Sequence, residues 1–322
     1  AAHTRLKPNF TLAVSGWTLG PGPETFPPGD AGWLNDKLPP EVAIGAMNIE
    51  CGHAPPDPGL ARLQSHSTFT IPWMEDDGGQ NIVQFWVNRT LEWARQATSY
   101  NSSGGLFAEH WRTRAISLQF AALAQYPWNP TLTSREFYTD FCEQDFGLNA
   151  VDAATCAGLW DDGLLDPTCK RLTMPSCTSP VRPPMQGLPA AVKADSSTWD
   201  SQKSKYAFVD RIWSALDGKV HGAENRERWM YWVSMLRSLQ ADAEYATIWG
   251  AFNVVMQKVA AESDPAKQKQ LAIEQALPLR QRMVAQAELA IQWKMNATST
   301  TGGLGATANY QQYVISNSLA VQ

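Results

Sequence analysis

Val42-Ala-Ile-Gly-Ala-Met-Asn48 is followed after a Pro-rich stretch by Thr68-Phe-Thr-Ile-Pro-Trp73. Both runs are short, apolar and not strictly alternating. Strands buried on both faces, as in a parallel sheet, read this way. Two further runs have the same character, Phe10-Thr-Leu-Ala-Val-Ser-Gly-Trp17 on one side and Gly105-Leu-Phe-Ala-Glu-His-Trp111 on the other. Helical patterns lie between and after them. Gln80–Tyr100 sets Val83, Trp86, Val87, Ala94 and Ala97 on one face. Arg112–Tyr126 ends at Pro127. Ala31–Leu38 and Gly59–Leu63 are short enough for single helical turns inside Pro-rich loops.

Strand and helix alternate at intervals of roughly 25–35 residues, close to the ~31 per unit of a (β/α)8 barrel. Only four such units fit before the pattern changes. Either the sheet is open and doubly wound, or four more strands lie on another chain or a further stretch of polypeptide.

The remainder is of two kinds. From Thr131 to about Lys203 the chain is rich in Pro, Asp, Ser and Cys, an irregular excursion with a short helix at Ser134–Gln144. From Lys205 helices return. Val209, Ile212, Trp213 and Leu216 share a face that Gly218 closes, Glu224–Glu262 is strongly helical, and Asp264-Pro265 opens a helix running to about Met295. The expected organisation is therefore residues 1–130, 131–204 and 205–322. No sustained heptad seam joins the last helices, so packing on one another or on the sheet is their expected use.

Composition excludes several function classes. Net charge is −5 and the 26 Lys and Arg form no dense run, which disfavours nucleic acid. No stretch approaches the ~20 apolar residues of a membrane span. No HExxH, Walker A, dinucleotide fingerprint or GxSxG elbow occurs, and no cofactor or metal is expected. The chain reads as secreted, extracellular or lumenal. Asn9, Asn88, Asn101 and Asn296 each begin an Asn-x-Ser/Thr sequon. Cys142, Cys156, Cys169 and Cys177 cluster in one loop-rich segment, where disulfides can replace a missing core. Sequential pairing, Cys142 with Cys156 and Cys169 with Cys177, is the expectation. Zinc is the alternative, but no CxxC spacing or nearby His supports it. Cys51 is left over, as a buried thiol or a bond to another chain.

The series Gly16-Trp-Thr-Leu-Gly-Pro21, Leu38-Pro-Pro40, Ile71-Pro-Trp-Met-Glu-Asp-Asp77 and Gly105-Leu-Phe-Ala-Glu-His-Trp-Arg-Thr-Arg114 resembles the second half of a glycoside-hydrolase barrel. It is similar to large secreted enzymes of the α-glucuronidase and hexosaminidase-like groups, over roughly residues 8–148. The resemblance implies an α/β fold, strands five to eight of a TIM barrel followed by a mostly helical domain. The other barrel half would then lie elsewhere.

In such folds chemistry sits at the C-terminal strand ends. Reading those ends collects Trp17; Glu50 and His53; Trp73, Glu75, Asp76 and Asp77; and His110, Trp111, Arg112 and Arg114. Glycoside cleavage needs one carboxyl group to protonate the leaving oxygen and another to activate water or attack the anomeric carbon. Glu75 is the first choice and Glu50 the second. The remaining residues suit substrate contact: indoles stack on sugar rings, and Arg pairs with an anionic sugar. Plainer roles compete. Glu75, Asp76 and Asp77 can cap the helix near Gln80. The indoles can be packing residues, and the arginines can serve salt bridges. Glu109 alternates with His110, so it faces the helices if His110 faces the pocket. The expected reaction is hydrolysis of a glycosidic bond in an extracellular polysaccharide or glycan. The rivals are a non-catalytic carbohydrate-binding or structural glycoprotein, and a lyase using His110 and Arg112.

Overall fold

The computed structural model describes residues 12–15, 31–48, 56–72, 74, 86–100, 105–106, 114, 117–164 and 207–297. They form two compact units, one carrying the sheet and the chain through Phe137, the other carrying the helices from Tyr138 onward.

In the first unit, strands β1 (Ala13–Val14), β2 (Ala43–Asn48), β3 (Thr68–Pro72) and β4 (Gly105–Leu106) make one parallel sheet in the order β1-β2-β3-β4. Register pairs Ile44 with Thr68, Ala46 with Thr70 and Asn48 with Pro72. Paired residues share a face, because side chains alternate along each strand. On that face Ile44 and Ala46 pack with Ala31, Leu34, Leu60 and Leu63. Ala31, Leu34 and Leu60 come from two 3-10 turns, Ala31–Leu34 and Pro58–Arg62, which occupy the connections before β2 and β3, and Leu63 caps the second. Burying an aliphatic side chain of this size is worth roughly 1.5–3 kcal/mol.

Asp57 ties the two connections together. One carboxylate oxygen accepts from the Gly59 N–H at 2.7 Å, capping the second turn, and the other accepts from the Ala31 N–H at 2.7 Å. His66 is also a framework residue. It is buried, with its ring nitrogens 2.8 Å from the Val42 carbonyl and 3.1 Å from that of Asn35. On the other face of the sheet the Phe69 ring lies over Gly45, where an added Cβ would stand 2.1 Å from a ring carbon. Only glycine allows β2 that approach.

Helix α1 (Val87–Ser99) packs against α2 (Ser117–Gln125). Arg95 of α1 holds the chain beyond α2, donating to the carbonyls of Pro130 at 3.3 Å and Leu132 at 2.5 Å. Helix α3 (Ser134–Phe146) begins with a reciprocal cap. The Thr133 hydroxyl accepts from the Glu136 N–H at 3.2 Å, and the Glu136 carboxylate accepts from the Thr133 N–H at 2.9 Å.

The second unit is helical among its described residues. Gly147, at φ 63°, ends α3, and Asn149 caps α4 (Ala150–Leu164), its side-chain oxygen accepting from the N–H groups of Val151 and Asp152. Then come α5 (Phe208–Leu216), α6 (Ala223–Ala261), α7 (Pro265–Leu271) and α8 (Leu277–Asn296). Phe141, Phe146, Trp160, Trp229 and Trp232 form a chain of edge-on and tilted ring contacts, centroids 5.1–6.0 Å apart. Offset and edge-on pairs of this kind add about 0.5–1.5 kcal/mol each beyond their burial. Helix α8 packs along α6, with Met283 joining Tyr245, Ile248 and Trp249. As the Asp-Pro pair predicts, Asp264 caps α7 and Pro265 occupies its first turn. A π-helical turn at Ala272–Ala276 separates α7 from α8.

The barrel expectation is corrected by these elements. Among the described residues the sheet is open, its outer strands are two residues each, and helix predominates. The misreading has a physical cause: short apolar runs spaced by about thirty residues look the same in an open parallel sheet and in a barrel. Helix α4 lies inside the segment expected to be irregular, where Cys156 and the acids of Ala150–Leu164 hid a well-capped helix.

Candidate functional site

β2 and β3 are neighbours and end together, Asn48 paired with Pro72. Glu50 follows two residues after the first end and Glu75 three after the second. Glu50, Glu75, Trp17, His53, Trp73, Asp76, Asp77, His110, Trp111 and Arg112 all lie outside the described residues. Met74, between Trp73 and Glu75, is buried. Arg114 is half-buried in a turn, its carbonyl accepting from the Ser117 N–H at 3.4 Å, so the helix expected from Arg112 is described only from Ser117. Among the described residues the sheet runs through its strands in sequence order, without the strand-order reversal that opens a binding crevice in doubly wound folds.

Of the sequon residues, Asn296 is exposed at the last turn of α8 and Asn88 half-buried in the first turn of α1; Asn9 and Asn101 lie outside the described residues. Cys142 of α3 and Cys156 of α4 are both free and fully buried. Burial pushes the Cys142 thiol up, and its hydrogen bond with Cys156 adds to that. Cys51, Cys169 and Cys177 lie outside the described residues. Among the described residues no group of three His, Cys, Asp or Glu side chains could hold a metal ion, and no helix is long and apolar enough to cross a membrane.

Sequence reading missed a cleft in the second unit. It has a volume of about 550 Å³ and lies among α5, α6 and α8. Helix α6 contributes Arg237, Gln240, Ala241 and Glu244, a stripe at helical spacing. Asp210 and Trp213 come from α5, and Gln286, Leu289 and Trp293 from α8. The polar groups are mutually ordered. The Arg237 guanidinium donates to the Asp210 carboxylate and to the Gln240 side-chain oxygen at 2.8 Å, while the Gln240 amide donates to Asp210 at 3.0 Å. Arg237 also stands 5.9 Å from the Trp213 ring centre, within cation–π range. Glu244 faces Arg282 at 3.8 Å. The cleft was illegible because its residues are up to about eighty positions apart, and Trp213 alone reads as part of an apolar helix face.

Protein-family models, curated proteins and solved structures contain no match to this chain. The resemblance to the α-glucuronidase and hexosaminidase-like groups is corrected on two counts: no family model supports it, and the described residues form no barrel.

Proposed function

We propose that the protein hydrolyses glycosidic bonds in an extracellular polysaccharide or glycan, using Glu75 and Glu50 beyond the C-terminal ends of β3 and β2. The observation that carries this reading is the common end of two adjacent parallel strands, Asn48 paired with Pro72, each followed within three residues by one of these acids. Parallel strands lie about 4.8 Å apart. The carboxyl separations of retaining and inverting glycosidases, about 5–5.5 Å and 6.5–9.5 Å, are within reach from such a pair of ends. In the reaction one carboxylic acid protonates the glycosidic oxygen as its bond to the anomeric carbon breaks. Water then supplies hydroxide to that carbon, directly with the second carboxylate taking its proton, or after that carboxylate has first formed a glycosyl ester. Trp17, Trp73 and Trp111 supply apolar faces for sugar rings. His53, Asp76, Asp77 and His110 contact hydroxyls, and Arg112 and Arg114 contact an anionic group.

Export completes the reading, with glycans on the sequon asparagines, Asn296 first because of its exposure, and a disulfide between Cys169 and Cys177, while Cys142 and Cys156 stand as free thiols. A shift in mass on enzymatic deglycosylation of native material tests the first part.

The test of the chemistry is reducing-end release from a panel of neutral and acidic polysaccharides. Glu75→Gln and Glu50→Gln are each expected to lower turnover at least a hundredfold while leaving the thermal midpoint unchanged. Full activity in both variants removes the assignment. Tight glycan binding with no turnover by the wild type leaves the non-catalytic carbohydrate-binding reading in its place.

A further inference from the structure

We infer that the cleft among α5, α6 and α8 is a second carbohydrate site, one that takes a neutral saccharide of one or two rings. Its volume, about 550 Å³, falls within the ~300–1,000 Å³ of small-molecule sites. Its lining is largely apolar, with two indoles, Trp213 and Trp293, and the half-exposed Leu289. Against these surfaces stand Asp210, Arg237 and Gln240, already locked together by hydrogen bonds. A pre-ordered set of donors and acceptors beside apolar faces is what a sugar ring requires, since the ring presents C–H groups on its faces and hydroxyls at its rim.

The charge of the lining selects among sugars. Arg237 is engaged by Asp210, and the other cation at hand, Arg282, faces Glu244. The lining residues themselves carry two carboxylates and one guanidinium. A uronate or sulfate would meet two carboxylates and a guanidinium already held by one of them, whereas hydroxyls can donate to Asp210 and Glu244 and accept from Gln240 and Gln286. The site needs no catalysis and does not involve Glu50 or Glu75. It therefore stands or falls separately from the hydrolytic reading.

The test is calorimetric and saturation-transfer NMR titration of the full chain with neutral disaccharides, with the corresponding uronate-containing disaccharide and with a sulfated one. Neutral disaccharides are expected to bind and to protect Trp213 and Trp293. Trp213→Ala should weaken binding about tenfold or more, as loss of an aromatic anchor does. Leu289→Arg fills the mouth from an exposed position that the fold does not depend on, and it should have the same effect. The proposal is overturned if no neutral disaccharide binds, if Trp213→Ala and Leu289→Arg leave its affinity intact, or if the binding that these two variants abolish is tighter for the acidic sugars than for the neutral ones.

Discussion

Gln119 sits in α2 with no exposed surface, and neither its side-chain oxygen nor its nitrogen has a hydrogen-bond partner among the described residues. A buried amide without partners costs roughly 1–3 kcal/mol. Gln119→Leu is therefore expected to stabilise the first unit by an amount in that range. Its urea midpoint should rise with an unchanged slope; a lower midpoint would mean that the amide is satisfied and holds the helix in place. Asp57 is the opposite case, because its two oxygens satisfy backbone N–H groups in both connections. Asp57→Ala leaves those donors buried, and a loss of about 2–3 kcal/mol is expected from the same accounting. Equal midpoints for variant and wild type would show that the two turns do not depend on the carboxylate. Neither residue stood out in the sequence. Asp57 looks like one more acid in a Pro-rich loop, and His66 carried no context until its two carbonyl partners were seen.

At the scale of elements, legibility followed length and capping. Helices α5, α6 and α8 announce themselves through long apolar faces, and α7 through Asp264-Pro265. Helix α4 did not, because Cys156 and the neighbouring cysteines suggested a covalently pinned loop. The cap of α3 makes a pH prediction. Hydrogen bonds from the Thr133 backbone, then from its hydroxyl, hold the Glu136 carboxyl below its ordinary value of 4.5. A depressed carboxylate stabilises the fold above its unfolded value, and that stabilisation is lost as pH falls through the lowered folded value. Thr133→Ala should accordingly lower the thermal midpoint at pH 7, and the difference from wild type should shrink progressively below pH 4.5. A difference that stays constant down to pH 2 would show that Glu136 contributes nothing through this cap. Asp145 has the opposite sign. Burial raises its carboxyl and Arg228 only partly offsets this, so its contribution is favourable at low pH and fades as pH rises through the raised value. Two thiols facing each other between α3 and α4 make a further point at this scale. Their burial predicts that Cys142 and Cys156 resist alkylation in the native protein and react on unfolding. Peptide mapping after brief native labelling would contradict this if either carried the label.

For the whole molecule, the sequence conveyed that parallel strands precede a run of helices, but not the kind of sheet. Barrel and open sheet share the same apolar strands. What separates them is whether the outer strands find further partners, and among the described residues β1 pairs with β2 alone and β4 with β3 alone. The hydrolytic site was proposed from strand ends, and the register of β2 with β3 gives that proposal its geometric support. The cleft of the second unit arises only when three helices assemble. The central claim is that a glycosidic bond is cleaved by water, and it is tested most directly by incubating the protein with a polysaccharide panel in water labelled with heavy oxygen and analysing the products by mass spectrometry. Hydrolysis predicts one heavy oxygen at the anomeric carbon of each new reducing end, with the label absent in Glu75→Gln. Products bearing a carbon–carbon double bond and no label, or no products on any glycan that binds, would contradict it.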